Sequence, residues 1–140
     1  MANIKEKIAA VQKGMGALKK DTEAYNYKYV TLDQIQEKMN PLLEEQGLLL
    51  TQPLETVKMG DTGYTQLSTV LQDMESEEEV RTGIILPKDV KPQDMGSAIT
   101  YFRRYSLLSL FNLVTEDDDG AKAQGAKAKK STSTADDLDF

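Results

Sequence analysis

The chain has 140 residues, of which 39% are hydrophobic, with no cysteine, no histidine and a formal net charge of −6. These values exclude disulfide scaffolds, thiolate zinc sites, imidazole catalysis and a broad basic surface for nucleic acid. The N-terminus lacks the apolar run of a secretory signal, and no apolar stretch is long enough to span a membrane. We therefore expect one domain in a soluble, cytoplasmic protein.

Apolar residues recur at helical spacing near the N-terminus. Steps of three and four residues separate Ile4, Ile8, Val11, Met15 and Leu18, which predicts an amphipathic helix over residues 3–20. Its lysines are expected on the solvent-facing side: Lys5, Lys7, Lys13, Lys19 and Lys20.

Tyrosines alternate with other residues in the next segment. Tyr25, Tyr27 and Tyr29 lead to Val30, a pattern that predicts an extended piece of chain. We interpret these rings as a packed strand edge, with a platform for stacked bases as the alternative.

Local signals delimit a second helix. Thr31 followed by Gln34 forms a capping box that starts the helix, and Gly47 is typical of the residue that ends one. Pro41 lies inside the apolar pattern, where it should kink the helix or start a new turn.

From residue 48 the hydrophobic period becomes that of strands. Residues 48–54, 64–72 and 80–86 are predicted as three antiparallel strands, separated by a turn at 60–63 and an acidic turn at 73–79. Residues 94–113 then predict a long apolar helix.

The composition changes after Val114. Residues 116–140 have no large apolar residue before Leu138, so we expect a disordered acidic tail beyond a folded domain of residues 1–115. The predicted class is α+β, with two N-terminal helices, a three-stranded antiparallel sheet and a long C-terminal helix packed on the sheet.

The most informative segment is Gly-Ser-Ala-Ile-Thr-Tyr-Phe-Arg-Arg-Tyr-Ser-Leu-Leu at residues 96–108. With Asp118-Asp119-Gly120 downstream and Tyr27-Lys28-Tyr29-Val30 upstream, it resembles the signature of the Erf family of phage recombination proteins. The resemblance covers residues 25–120. It departs from the family pattern at Phe102, where a small residue is commoner, and at Asn112, where glycine is frequent.

This resemblance implies a protein that binds and anneals single-stranded DNA without ATP during phage recombination. It also implies protomers that assemble into rings or helical filaments and hold strands along a shared groove. No Gly-x-x-x-x-Gly-Lys-Ser/Thr run occurs, which agrees with the absence of an ATP cofactor. We expect no cofactor and no enzymatic activity.

The same segment supplies a local basic strip. No acidic residue lies between Gly96 and Val114, and arginine offers a planar fork suited to phosphate. A serine near a helix start would add free backbone N–H groups, and tyrosines four apart share a helix face. We expect DNA to contact Arg103, Arg104, Ser97, Tyr101, Tyr105, Lys88 and Lys91.

Other interpretations of these residues stay open. The rings of Tyr101, Phe102 and Tyr105 equally suit a core beneath the sheet, and the two arginines could pair with acidic neighbours or a second subunit. Lys88 and Lys91 equally suit a solvated loop.

Two rival functions remain: an oligomeric adaptor that recruits host proteins without annealing, and a metal-dependent nuclease using Asp117, Asp118 and Asp119. The nuclease is disfavoured because consecutive acids do not converge on two metals.

The final residues combine charge with an aromatic anchor. Asp136, Asp137, Leu138, Asp139 and Phe140 resemble the acidic tip of bacterial single-strand binding proteins. That resemblance implies docking on host replication or repair proteins. The alternatives are a solubilising acidic end and occupation of the protein's own DNA groove when DNA is absent.

Overall fold

The computed structural model describes residues 2–19 and 29–115. The elements in chain order are helix α1 (Ile4–Met15), helix α2 (Leu32–Gln46), strands β1 (Leu48–Thr51), β2 (Leu54–Met59), β3 (Thr62–Asp73) and β4 (Glu79–Ile85), and helix α3 (Pro92–Leu110). The predicted α+β class is confirmed.

Side-chain caps set the N-terminal ends of the first two helices. At α1, the Asn3 side chain accepts a hydrogen bond from the Glu6 N–H, and the Glu6 carboxylate accepts one from the Asn3 N–H, at 2.9 and 3.0 Å. Thr31 and Gln34 form the predicted capping box at α2. Each box satisfies N–H groups that have no partner within the helix.

The C-terminal end of α2 agrees with the prediction, whereas that of α1 does not. Gly47 ends α2 with a φ of +67°, the left-handed conformation expected of a terminating glycine. α2 continues through Pro41, so of the two alternatives predicted there, a kink and a new turn, the new turn is wrong. α1 ends at Met15, earlier than predicted, because Gly16 takes a φ of +59°.

The sheet has four strands, and the prediction of three is wrong. β1 and β2 pair antiparallel with the same edge of β3, and the register continues unchanged from Thr51↔Val70 to Leu54↔Leu67. β4 pairs antiparallel with the opposite edge of β3. The edge strand expected over 48–54 is therefore longer and is interrupted near Pro53, which has no N–H to donate to the ladder.

The hydrophobic core lies between the helices and one face of the sheet. Its fully buried members are Val11 and Met15 from α1, Val30 before α2, Ile35 and Met39 from α2, Leu71 from β3, and Leu107 and Phe111 from α3 and its end. All three helices thus contribute apolar stripes to one core. Among the described helices, none is long and apolar enough to cross a membrane.

Lys7 corrects the expectation of a uniformly solvated lysine face on α1. Its side chain is 5% exposed, and its Nζ lies 2.7 Å from both Asp73 Oδ1 and Glu75 Oε1. The hydrogen bond to Asp73 raises the pKa of Lys7 and lowers that of Asp73. Lys5, Lys13 and Lys19 are exposed as predicted. The buried ion pair joins α1 to the acidic turn between β3 and β4.

The end of α3 is held by the N-terminal region. Gln12 Nε2 donates to the Phe111 carbonyl at 3.0 Å, and Leu18 N–H donates to the Val114 carbonyl at 2.9 Å. Asn112 has a φ of +53°, a conformation that glycine adopts most readily and asparagine tolerates. Asparagine at this position is therefore compatible with the helix end.

Two predictions lie outside the described residues. One is most of the extended segment, including Tyr25 and Tyr27. The other is the disordered tail at 116–140.

Candidate nucleic-acid interface

A groove of about 840 Å³ lies between the start of α2 and the central part of α3. The residues that line it are Tyr29, Thr31, Leu32, Asp33, Gln36, Gly96, Ser97, Thr100, Tyr101, Arg103, Arg104 and Tyr105. Five of the seven predicted DNA-binding residues are among them. The sequence analysis did not predict which segment of the chain would lie opposite α3.

Arg104 is built into the wall of this groove. The residue is 4% exposed, and its Nε donates a hydrogen bond to the Val30 carbonyl. Its guanidinium carbon lies 5.0 Å from the ring centroid of Tyr29 and 4.8 Å from that of Tyr105. These are cation–π distances, so the buried cation holds two aromatic rings in place.

Arg103 is positioned differently although it is the adjacent residue. Its Nε donates to Gln52 Oε1 at 3.0 Å, and Gln52 Nε2 donates to the Arg103 carbonyl at 3.2 Å and to Thr69 Oγ1 at 3.0 Å. Within residues 2–19 and 29–115, neither Nη atom of Arg103 has a hydrogen bond or a salt bridge. Arg103 is half-buried, and its guanidinium retains donors for an anionic oxygen.

Three aromatic rings follow one another on α3 at this groove. The Tyr101 ring lies 4.7 Å from that of Tyr105 and 5.1 Å from that of Phe102, the latter edge-on at 87°. Tyr101 is nevertheless 40% exposed, whereas Phe102 and Tyr105 are half-buried. Burial, followed by the neighbouring Tyr105, raises the pKa of Tyr101. Tyr101 thus offers the groove a neutral and accessible ring.

Ser97 does not lie at a free helix start, contrary to expectation. α3 begins at Pro92, so the Ser97 N–H falls in the second turn, where a helical N–H bonds to the carbonyl four residues earlier. The side chain of Ser97 still lines the groove.

The two predicted lysines are not brought to the groove. The Nζ of Lys88 lies 4.9 Å from the ring centroid of Tyr64, on the sheet. Lys91 is the exposed residue that precedes the first turn of α3. Both therefore lie beside the entrance to α3 and outside the residues that line the groove.

Sequence reasoning missed the opposite wall. Tyr29 was interpreted as part of a packed strand edge, with a platform for stacked bases as the alternative; it is 47% exposed, and its ring centroid lies 5.0 Å from the guanidinium carbon of Arg104. Thr31, Asp33 and Gln36 line the groove from the start of α2. Two signals were available, the alternating tyrosines and the capping box. Neither predicts that this segment meets α3.

The structure does not describe the remaining sequence-based sites. The proposed partner-binding residues Asp136, Asp137, Leu138, Asp139 and Phe140, and the acids Asp117–Asp119 of the nuclease hypothesis, fall outside the described residues. Among the described residues, no group of three or more acidic side chains could hold a metal ion.

Comparison with known proteins identifies the family. No curated protein and no solved structure matches the chain. The family model of the ERF superfamily matches residues 4–138, which include α1, α2, the sheet and α3. The match covers well over half of the sequence and contains both walls of the groove. The chain therefore belongs to the ERF superfamily.

Proposed function

We propose that this protein binds single-stranded DNA in the groove between α2 and α3 and promotes annealing of complementary strands, without ATP, during recombination of phage DNA in the host cytoplasm. Membership in the ERF superfamily supports a recombination and annealing role in general. The observation that carries the specific proposal is the convergence of Arg103 with exposed aromatic rings in one groove.

The groove combines the two chemistries that bind unpaired strands. Arg103 supplies donors for a phosphate, while Tyr101 and Tyr29 supply exposed rings for stacking. Every base has a π-face, so such a site tolerates all sequences. Arg104 acts as a positioning residue because its guanidinium is engaged by Val30 and two tyrosines.

This arrangement accounts for annealing without nucleotide hydrolysis. A phosphate held at Arg103 leaves the base edges of neighbouring nucleotides available to a second strand. Base pairing then supplies the free energy, at about 1.4 kcal/mol per stacked step. The protein only has to bring strands together and release the duplex.

Repetition of the groove would compensate for the acidic net charge. We propose a homo-oligomer, a ring or a helical filament, in which one basic position per subunit forms a continuous track. Within residues 2–19 and 29–115, neither edge of the sheet pairs with a further strand, and Leu54, Met59 and Val114 are exposed apolar residues that such contacts could cover. Mass measurement of the purified protein across concentrations tests this proposal.

Binding is tested by fluorescence anisotropy with labelled oligo(dT) and an equivalent duplex over a range of salt. We expect a preference for the single strand. Arg103→Gln should weaken binding about tenfold. It should also make the slope of log K against the logarithm of salt concentration shallower, by about 0.7 for each phosphate that the variant no longer neutralises.

Arg81→Gln is the matched control for this measurement. Arg81 is also an arginine, but it lies on β4, where it pairs with the exposed carboxylates of Glu55 and Glu79 at 3.3 and 3.4 Å. This control variant should bind like the unaltered protein. Equal losses of affinity in the two variants would refute a specific role for the groove.

Strand annealing separates the proposal from the adaptor alternative. Arg103→Gln should slow the annealing of two complementary labelled oligonucleotides, whereas an adaptor would show no dependence on this side chain. Arg103 is changed alone because replacing Arg104 would also disturb the groove wall.

We also propose that residues 136–140 bind host replication or repair proteins. Deleting them should leave annealing intact and weaken the capture of such proteins. Unchanged capture after the deletion would remove this part of the proposal.

A further inference from the structure

We infer that the acidic segment 136–140 of this chain docks in its own α2–α3 groove and competes there with single-stranded DNA. The inference rests on the proposed function for the identity of the competitor, but the docking itself can be measured without DNA. It makes the groove a shared surface for a nucleic acid and for a peptide of similar chemistry.

The segment and the groove are complementary in charge and in polarity. Arg103, Arg104 and one acid, Asp33, give the groove lining a formal charge of +1, whereas the segment is acidic. Asp136, Asp137 and Asp139 carry three negative charges, as phosphates do, and Arg103 in the groove has Nη atoms without a described partner. Phe140 supplies an aromatic ring that can pack beside Tyr101, a groove residue that is 40% exposed. Both kinds of contact that would bind a nucleotide are therefore available to this peptide.

The chain is long enough to make the connection. About 20 residues, 116–135, lie between Thr115 and the acidic segment. A flexible chain of this length has a root-mean-square span of about 25 Å and an extended reach of about 70 Å. Along α3, the groove residues from Tyr105 to Gly96 lie about 8 to 21 Å from Leu110 at the helix end.

Position and composition favour this segment over the other acids of the tail. Residues 116–119 are also acidic, but they follow Thr115 directly and contain no apolar side chain. Residues 136–140 combine acids with Leu138 and Phe140. They can therefore fill an aromatic groove as well as neutralise it.

Tethering makes weak docking effective. A linker of this length gives a local concentration in the millimolar range, so a peptide of millimolar affinity would occupy the groove for a substantial fraction of the time. DNA must displace it, which lowers the apparent affinity for single strands by about two- to tenfold. Displacement also frees the segment to bind a partner only where DNA is bound.

Docking is measured directly with a new fluorophore. The chain has no tryptophan, so Phe140→Trp introduces a single indole. We expect this indole to emit at shorter wavelength and to resist acrylamide quenching in the full chain. Arg103→Gln added to Phe140→Trp should release it, whereas Arg81→Gln added to Phe140→Trp should not.

Competition is measured with two variants of equal charge change. The first neutralises the docking segment as Asp136→Asn, Asp137→Asn and Asp139→Asn. The second neutralises the nearer acids as Asp117→Asn, Asp118→Asn and Asp119→Asn. We expect the first variant to bind oligo(dT) about two- to tenfold more tightly than the second. A general charge effect of the tail would raise affinity equally in both.

The outcomes separate this inference from the proposed function. A solvent-exposed indole that is indifferent to Arg103→Gln would overturn docking, whatever the protein does with DNA. A protected indole in a protein that binds no single strand would support docking and refute the proposed function. A protected indole with equal DNA affinities for the two neutralised variants would overturn competition.

Discussion

The two adjacent arginines are expected to differ sharply in their contribution to stability. Arg104→Lys keeps the buried charge but removes the planar guanidinium that donates to the Val30 carbonyl and lies between Tyr29 and Tyr105. A hydrogen bond to a charged group contributes about 1.5–3 kcal/mol, and each cation–π contact about 0.5–1 kcal/mol. Because lysine recovers part of both, we expect a net loss of about 2 kcal/mol in the free energy of unfolding.

Arg103→Lys is the matched variant. It makes the same chemical change at a half-buried position, where lysine loses the single Nε hydrogen bond to Gln52 but keeps its charge at the groove, and it should lower the free energy of unfolding by about 1 kcal/mol or less. Urea denaturation followed by circular dichroism measures both values. In thermal unfolding, Arg104→Lys should lower the midpoint by roughly 10 °C for a domain of this size.

Equal losses of stability in the two variants would refute a special role for Arg104. A loss below about 0.5 kcal/mol for Arg104→Lys would also refute it, since that is the scale of ordinary surface substitutions. Either result would mean that the guanidinium does not hold the groove wall.

Three further predictions concern the fold. The pKa of Asp73 is lowered by its hydrogen bond to Lys7, so that pair stabilises the protein above the ordinary carboxyl pKa of 3.8 and is lost as pH falls through the lower folded value. Asp73→Asn should therefore reduce the midpoint of thermal unfolding at pH 7, with a difference from the unaltered protein that shrinks below pH 3.8. Because φ of Asn112 is positive, Asn112→Gly should raise the free energy of unfolding by about 0.5 kcal/mol. Asn112→Val should lower it by about 1–2 kcal/mol. Similar free energies of unfolding for the two variants would contradict the role of the backbone conformation. Thr31→Ala should cost about 1 kcal/mol by removing the cap of α2, whereas Thr56→Ala on an exposed part of β2 should change little.

Local signals predicted the helix ends that depend on neighbouring residues. The box of Thr31 with Gln34 and the terminating Gly47 both act within a few residues of the chain, so their outcome does not require knowledge of the fold. The strand count was wrong because the edge strand resumes in the same register beyond Pro53. That register depends on pairing with β3, which the local hydrophobic pattern does not reveal.

The site was predicted in part for a similar reason. The segment 96–108 identified most of the residues on one wall of the groove, since they are neighbours on one helix. It could not distinguish Arg103 from Arg104, because that difference depends on Gln52, between β1 and β2, and on Val30, before α2.

By itself, the amino-acid sequence determined the helix caps, the basic aromatic character of α3 and the family of the protein, because each is encoded by residues close together in the chain. Tertiary structure alone decided which arginine faces the groove, which tyrosine lies opposite it, and that Lys7 is buried beside Asp73. These outcomes depend on residues more than 50 positions apart meeting across the core. A cation can be buried in the core without a large cost in free energy only when it has a hydrogen-bonding or ion-pair partner.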